Sequence, residues 1–259
     1  MSAGDPFYAD VGAVFTDLDG TLTTAGQLHA STTRALERLA AAGVDLVIVT
    51  GRPSAWGEVL LRLLPLRAVV TENGGVTWSR APDGRLVRTL ALPTATLPAL
   101  RRRMFTAARA ALALFPGARL SEDSAGRVVD LAIDWNEAAR LPEATARACE
   151  QFLRARGFRA VRSSVHVNFW PAGFDKLTAS RKLARRLLGA AGEGACLYVG
   201  DALNDEPMFR GFPRSVGVAS VRAVWDELIH RPSRVTRADG GRGFEAVARA
   251  VLAARTRQL

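Results

Sequence analysis

The fold is decided by residues 11–21, which read VGAVFTDLDGT. The first six of these residues form a short apolar run, which is typical of a buried parallel strand. Asp17 and Asp19 follow the run directly, and Gly20 then permits a sharp turn. Because ligands of open α/β sheets bind beyond the carboxyl ends of the strands, both carboxylates are placed to face one ligand. On this stretch alone, an Asx-type turn that caps the strand stays open as an alternative.

Strand and helix patterns alternate downstream of this stretch and again near the end of the chain. The predicted strands are 45–49, 67–70 and 195–199, and the predicted helices are 31–42, 53–64 and 174–188. Ser31 is the expected N-cap of the first helix. This alternation predicts the α/β class, with a Rossmann-like doubly wound parallel sheet.

The pattern changes between residues 79 and 170. A Pro-Asp-Gly turn at 82–84 joins two short strands into a hairpin. Helices and strands then follow one another without the regular βα order. We therefore expect an inserted α+β cap domain at 79–170, and a catalytic core formed by residues 1–78 and 171–259.

The composition is typical of a globular protein. The 259 residues are 48% hydrophobic and 23% charged, which excludes disorder as the main state. Two cysteines, Cys149 and Cys196, exclude a disulfide-dense scaffold and favour a reducing compartment. No apolar run approaches the ~20 residues that span a bilayer, and no signal peptide is visible. The cytoplasm is the expected location.

The net charge is positive, since 35 basic and 25 acidic residues give +10. Such a charge is compatible with nucleic-acid binding or with attraction of anionic substrates. No basic cluster interleaved with aromatic residues is present, so nucleic-acid binding is only a remote alternative. Nearly all the positive charge is arginine, because lysine occurs only at Lys176 and Lys182.

A second acidic motif, GDALND at residues 200–205, also follows a buried strand. Asp201, Asn204 and Asp205 offer hard oxygen ligands of the kind that Mg²⁺ prefers. A helix N-cap at Asp201 or Asn204 is the alternative. That alternative does not explain why acidic residues recur at a second strand end of the same sheet.

Two further motifs are suited to holding a phosphoryl group. Thr50, Gly51 and Arg52 follow the second strand, where a hydroxyl and free backbone N–H groups can bind phosphoryl oxygens. Lys176 offers a compact ammonium in a chain that otherwise uses arginine. A plain strand-to-helix turn and an ordinary surface lysine are the respective alternatives.

Three polar residues are the candidates for further substrate or phosphate contacts. His166 and Asn168 share one face of a predicted cap strand and lie close in sequence to Lys176. Asn73 lies just beyond the third strand of the core. The other charged residues on the predicted cap strands, such as Arg127 and Asp130, are as readily explained by solvent exposure.

Together, these motifs resemble those of the haloacid dehalogenase (HAD) superfamily, in its order I to IV. Asp17 and Asp19 match the first motif, and Thr50 matches the second. Lys176 matches the third. Asp201 and Asp205 match the fourth. The resemblance spans the whole core, whereas the inserted segment matches only by its position and rough topology.

The resemblance implies a mechanism for these residues. Asp17 would attack the phosphoryl group and form an aspartyl-phosphate, while Asp19 would act as general acid and then as general base. Thr50 and Lys176 would stabilise the transferring group. Mg²⁺ would be held by the Asp17 carboxylate, the Asp19 carbonyl and Asp201. The remaining fourth-motif residues, Asn204 and Asp205, would orient metal-bound waters or Lys176.

The position of the insertion, between Thr50 and Lys176, resembles the type-IIB cap group, which includes Cof-like and sugar-phosphate phosphatases. The segment TENGG at 71–75 also resembles this group. Asp19 argues against the dehalogenase branch, because no alkoxide leaves in that reaction. The phosphonate-cleaving branch needs a cap lysine, which this chain lacks.

The sequence therefore predicts a Mg²⁺-dependent phosphomonoester hydrolase for a sugar phosphate or a similar small phosphorylated metabolite. A sugar phosphomutase of the phosphomannomutase kind is the alternative, since it shares the cap position and both acids of the first motif. We expect no nucleic-acid or membrane partner, and a monomer or homodimer.

Overall fold

The structure, a computed structural model, describes residues 5–256. Within that range the strands form a large sheet of eight and a small sheet of four. The large sheet runs, from edge to edge, through β12 (Arg234–Val235), β11 (Arg214–Gly217), β10 (Cys196–Gly200), β1 (Ala13–Thr16), β2 (Asp45–Val49), β3 (Ala68–Thr71), β4 (Val76–Arg80) and β5 (Leu86–Leu90).

The first six strands in this order are parallel, and helices cover both faces. The helices α1 (Ala30–Ala41), α2 (Ser54–Leu63) and α7 (Gly240–Arg255) pack on one face, and α5 (Lys176–Leu188) and α6 (Glu206–Gly211) pack on the other. Along β1, Val14 contacts the first set and Phe15 the second, which is why the strand is apolar throughout. The prediction of a doubly wound parallel sheet is confirmed.

The prediction that Ser31 is the N-cap of the first helix is wrong. Helix α1 begins at Ala30, so Ser31 lies inside it and His29 is the N-cap. The main-chain carbonyl of His29 already accepts the N–H groups of Thr32 and Thr33, at 3.0 and 3.1 Å. The backbone therefore starts the helix without a side-chain cap.

The small sheet is antiparallel and has helices on one face only. Its order is β6 (Arg119–Leu120), β7 (Leu131–Asp134), β9 (His166–Trp170) and β8 (Arg159–Arg162). Helices α3 (Leu97–Leu114) and α4 (Glu143–Ala155) pack against side chains such as Ile133 and Phe169. The opposite face, which carries His166 and Asn168, is turned toward the carboxyl edge of the large sheet.

We call the part built on the small sheet, residues 91–170, the cap, and the rest the core. The predicted boundary at residues 78 and 79 falls inside β4, and the whole β4–β5 hairpin pairs within the large sheet. A cluster of Val76, Val129, Trp170 and Phe174 joins the hairpin side of the core to the cap. Among residues 5–256, no helix is both long enough and apolar enough to cross a membrane.

Candidate active site

Three neighbouring parallel strands place the acidic motifs side by side. Strands β10, β1 and β2 are adjacent, and they are followed by Asp201, Asp17 and Thr50. The hydrogen bonding between β1 and β10 continues one residue past β1, because the Asp17 N–H donates to the Val199 carbonyl at 2.9 Å. All three side chains are buried at this edge of the sheet. The strand order therefore explains why residues distant in sequence meet here.

Lys176 joins the acids from the first residue of α5. Its Nζ donates to Oδ1 of Asp17 at 2.9 Å and to Oδ1 of Asp205 at 2.8 Å, and the side chain is buried. Asp205 is fully engaged, since Tyr198 also donates to its Oδ1 at 2.5 Å. Its Oδ2 accepts the N–H groups of Asp201 and Ala202 at 2.9 and 3.1 Å. Asp205 thus positions both the lysine and the turn that carries Asp201.

The electrostatics of this cluster favour an additional cation. Ligand atoms of Asp17, Asp201 and Asp205 all lie within 4.8 Å of one another, and among residues 5–256 Lys176 is the one ammonium that contacts them. Burial raises the pKa of Asp17 to about 7, although Lys176 acts in the opposite direction. Burial also raises the pKa of Asp201 well above its ordinary value, and the charges of Asp17 and Asp205 add to this effect. A divalent cation would relieve this crowding.

The free carboxylate oxygens are suited to Mg²⁺. Oδ2 of Asp17 and Oδ2 of Asp201 accept no hydrogen bond from any residue that the structure describes, while Thr21 donates to Oδ1 of Asp201 at 2.8 Å. Gly20, with φ of +77°, lets the chain pass so close that a Cβ there would lie 2.4 Å from Oδ2 of Asp201. The donor set is therefore one of hard oxygens, as Mg²⁺ requires.

Asp19 is held by Arg52 through two parallel hydrogen bonds. The Arg52 Nε donates to Oδ2 and its Nη2 donates to Oδ1, both at 2.9 Å. The same Nη2 donates to Oε1 of Glu137 in the cap at 2.8 Å, and the Arg52 N–H donates to Oγ1 of Thr50 at 3.0 Å. Arg52 was predicted as a phosphate contact. That contact stays a prediction, and in this structure the Arg52 guanidinium links Asp19, the candidate general acid, to the cap.

Gly51 is where core and cap side chains converge. Its carbonyl accepts Nη1 of Arg127 at 2.9 Å and Nδ2 of Asn168 at 3.2 Å. A Cβ at Gly51 would lie 3.2 to 3.4 Å from the amides of Asn73 and Asn168, so both asparagine side chains lie against Gly51. Asn73 donates to Oδ2 of Asp130 at 3.2 Å, and its own Oδ1 is buried without a hydrogen bond.

The cap closes over this site. A cavity with room for about 10 Å³ is lined by Asp17, Asp19, His166 and Asn168, which is space for at most one water. Nε2 of His166 lies 2.9 Å from Oε2 of Glu137 but outside hydrogen-bond geometry, so it is buried without a hydrogen bond. His166 and Asn168 therefore do face the acidic motifs, as their shared strand face predicts.

The comparisons with known proteins agree with this geometry. Residues 14–108 match the family model of the haloacid dehalogenase-like hydrolases. This match covers 95 of the 259 residues, so it shows similarity to the family over the first part of the chain. The match begins inside β1 and includes Asp17, Asp19 and Thr50. Lys176, Asp201 and Asp205 lie beyond it and join the site through the fold. No curated protein sequence matches this chain.

Solved structures share the fold of this protein at low sequence identity. A Thermoplasma acidophilum protein, 0175, is 18% identical with a TM-score of 0.70, over 94% of this chain and 99% of that chain. A HAD subclass IIB sugar phosphatase is 16% identical with a TM-score of 0.65, over 93% and 99%. The sucrose-phosphatase of Synechocystis sp. PCC6803, solved with sucrose and phosphate, is 17% identical with a TM-score of 0.63, over 93% and 98%.

Two acidic residues at this site were not singled out from the sequence. Glu72 is completely buried, and its carboxylate accepts the N–H groups of Ser54 and of the cap residues 128–130, at 2.6 to 3.1 Å. Glu137 contacts both Arg52 and His166. The one sequence signal for Glu72 is a charged residue directly after an apolar strand. No signal in the sequence marks Glu137.

Proposed function

We propose that this hydrolase is a Mg²⁺-dependent phosphomonoesterase that works through an aspartyl-phosphate on Asp17. The observation that carries the proposal is the state of the Asp17 carboxylate: Oδ1 is held by Lys176 and Oδ2 is free beside the cavity. A fixed, singly engaged carboxylate is oriented for nucleophilic attack. The similarity in fold to the subclass IIB sugar phosphatase and to sucrose-phosphatase supports a type-IIB cap and a phosphorylated sugar or similar metabolite as substrate.

The first step transfers the phosphoryl group to the enzyme. The Asp17 carboxylate forms a bond to phosphorus as the bond to the leaving oxygen breaks in line with it. Asp19 gives its proton to that oxygen, so the product leaves as an alcohol. The Lys176 ammonium and the Thr50 hydroxyl stabilise the charge on the equatorial oxygens.

The second step returns the enzyme to its starting state. Asp19 takes a proton from a water, and the hydroxide attacks phosphorus while the bond to Asp17 breaks. Inorganic phosphate is released. When bound, Mg²⁺ would neutralise charge on the phosphoryl group, and the Asp17 and Asp201 carboxylates with the Asp19 carbonyl would hold it. Asn204, buried beside the same cavity, is proposed to orient waters there.

Two parts of this mechanism require motion. A phosphate ester does not fit in a cavity of about 10 Å³, so the cap opens to admit substrate. The two hydrogen bonds from Arg52 engage both oxygens of Asp19, so Asp19 leaves Arg52 before it protonates the leaving group. Glu137 of the cap holds the same guanidinium, so the position of Arg52 depends on the position of the cap.

The core and cap division stays part of the proposal, with the β4–β5 hairpin counted in the core because it pairs in the large sheet. A phosphomutase is not favoured by any contact in the cap. The buried cap arginines are already paired, Arg127 with Asp123 and Asp130, and Arg162 with Glu150. A cytoplasmic location and a monomer or homodimer stay predictions.

A substrate screen tests the proposed function. Phosphate release is measured from p-nitrophenyl phosphate and from a panel of phosphorylated sugars and acids, with Mg²⁺ or with EDTA. We expect turnover with Mg²⁺, none with EDTA, and the highest kcat/KM on a phosphorylated sugar. Absence of phosphate release from every compound would contradict the proposal. Isomerisation of a hexose 1-phosphate without phosphate release would favour the mutase.

A further inference from the structure

A second cavity lies away from the catalytic residues, at the junction of core and cap. It measures about 330 Å³ and lies between the β4–β5 hairpin and helix α5. The chain crosses between core and cap twice, after β5 and before α5. Leu90 and Ala91 of the first crossing and Gly173 and Phe174 of the second all line this cavity. We call it the hinge cavity.

The two crossings are tightly packed where they form the wall. The Ala91 N–H donates to the Gly75 carbonyl at 2.9 Å, which fixes the first crossing to the core. At the second, a Cβ on Gly74 would lie 2.2 Å from the Asp175 carbonyl oxygen, so the chain segments touch directly. The cavity is therefore bounded by the segments through which the cap is attached.

The lining combines an apolar floor with a cationic rim. Phe174 and Leu183 are buried and form part of the floor. On α5, Lys182 and Arg186 are four residues apart, so both project from the helix face that lines the cavity. Within residues 5–256 neither has an ion pair or a hydrogen bond, whereas Arg181 and Arg185 of the same helix pair with Glu193. The rim thus carries two unneutralised positive charges.

We infer that the hinge cavity binds a small amphipathic anion and that the bound anion restrains the cap. An apolar body would occupy the floor, and a carboxylate, sulfonate or phosphate group would pair with Lys182 and Arg186. A volume of about 330 Å³ lies at the small end of the range for ligand sites, which limits the body to a short alkyl chain or a few aromatic rings. Because both crossings line the cavity, an occupant opposes their relative motion.

The binding test uses the full chain and the fluorescent sulfonate 8-anilinonaphthalene-1-sulfonate. Thr89→Trp fills the cavity from β5, and Lys182→Glu with Arg186→Glu reverses the charge of the rim. Arg185→Glu is the matched control, because Arg185 lies on the same helix but does not line the cavity. We expect one saturable site in wild type and in the control, and at least about tenfold weaker binding in the other two variants.

The binding test and a displacement test can each contradict the proposed site. Equal binding by all four proteins, or no saturable binding, would overturn the site. Octanoate and octyl phosphate are expected to displace the probe, and octanol is not. Displacement by octanol as strong as that by octanoate would overturn the role of the cationic rim.

The restraint on the cap is tested by amide hydrogen exchange of residues 91–97 and 171–175, with and without octanoate. We expect slower exchange in wild type and no change in Thr89→Trp. Unchanged exchange at saturating octanoate would overturn the restraint. Neither binding nor exchange requires phosphatase activity, so these results stand apart from the proposed function. One further readout, a fall in the turnover of p-nitrophenyl phosphate when octanoate is added, does depend on the proposed function.

Discussion

The core and the cap each hold a network of charged side chains at the site, and the two networks differ in whether every carboxylate oxygen accepts a hydrogen bond. In the core network of Asp17, Lys176, Asp201 and Asp205, two carboxylate oxygens accept no hydrogen bond from the described residues. In the cap network of Asp123, Arg127 and Asp130, every carboxylate oxygen has a donor. The carboxylate oxygens without donors in the core network are available to a ligand. The fully hydrogen-bonded cap network holds parts of the chain together.

The largest expected effect comes from removing the cation of the core network. Lys176→Met leaves Asp17 without the hydrogen bond that orients it and removes positive charge beside the phosphoryl group. We expect kcat on p-nitrophenyl phosphate to fall about 10²- to 10³-fold. The control Arg185→Met removes an exposed cation from the same helix and should act like wild type. A Lys176→Met enzyme within tenfold of wild type would show that the core network is not the reacting one.

The matching change in the cap network should affect stability. Arg127→Met leaves Asp130 buried without its ion pair and removes a donor from the Gly51 carbonyl. We expect the free energy of unfolding in urea to fall by about 3–5 kcal/mol. Arg109→Met, an exposed change on α3, should stay within about 0.5 kcal/mol of wild type. Equal stability of the two variants would contradict a holding role for the cap network.

A smaller effect is expected where the two regions meet. The close contact with His166 lowers the pKa of Glu137 to about 2, from 4.5, and the hydrogen bond from Arg52 adds to this effect while burial opposes it. A lowered carboxyl pKa stabilises the folded state above pH 4.5, and that stability is lost as the pH falls through about 2. Because Glu137 is half-exposed, Glu137→Gln should cost at most about 1 kcal/mol at pH 7.

This cost is measured by urea unfolding at pH 7 and at pH 3, with Glu58→Gln on the surface of α2 as control. The difference between wild type and Glu137→Gln should shrink at the lower pH. A difference that grows from pH 7 to pH 3 would rule out the Glu137 contacts as its source.

The smallest effect concerns the two thiols, one in each region. Burial raises the pKa of Cys149 in the cap and of Cys196 in the core to about 12 in each case, so both stay protonated. We expect neither to react with a thiol-specific disulfide reagent at pH 8 until the protein is unfolded. Reaction of Cys149 alone would show that the cap unfolds independently of the core.

The core site was predictable because its signals are local. Acidic residues directly after apolar strands identify Asp17 and Asp201, and parallel strands bring such ends to one edge of the sheet. Lys176 was found because lysine is rare in this chain. These inferences needed no knowledge of which strands are neighbours.

The remaining contacts depend on residues that are distant in sequence. The sequence did not indicate that Arg52 contacts Asp19 and Glu137, which lie 33 and 85 residues away. Glu72 binds main-chain N–H groups 56 to 58 residues away, and no side-chain pattern marks such partners. Likewise, the predicted cap boundary failed to place β5 in the large sheet, because a hairpin pattern does not reveal which sheet it joins.

The central claim is that Asp17 is the nucleophile. It is tested most directly by the rate of phosphate release from p-nitrophenyl phosphate in Mg²⁺ by Asp17→Asn, beside Asp226→Asn as an exposed control. Thermal unfolding confirms that both variants are folded. The account predicts a loss of at least about 10³-fold for Asp17→Asn and none for Asp226→Asn. A folded Asp17→Asn protein that keeps most of the wild-type rate would contradict it.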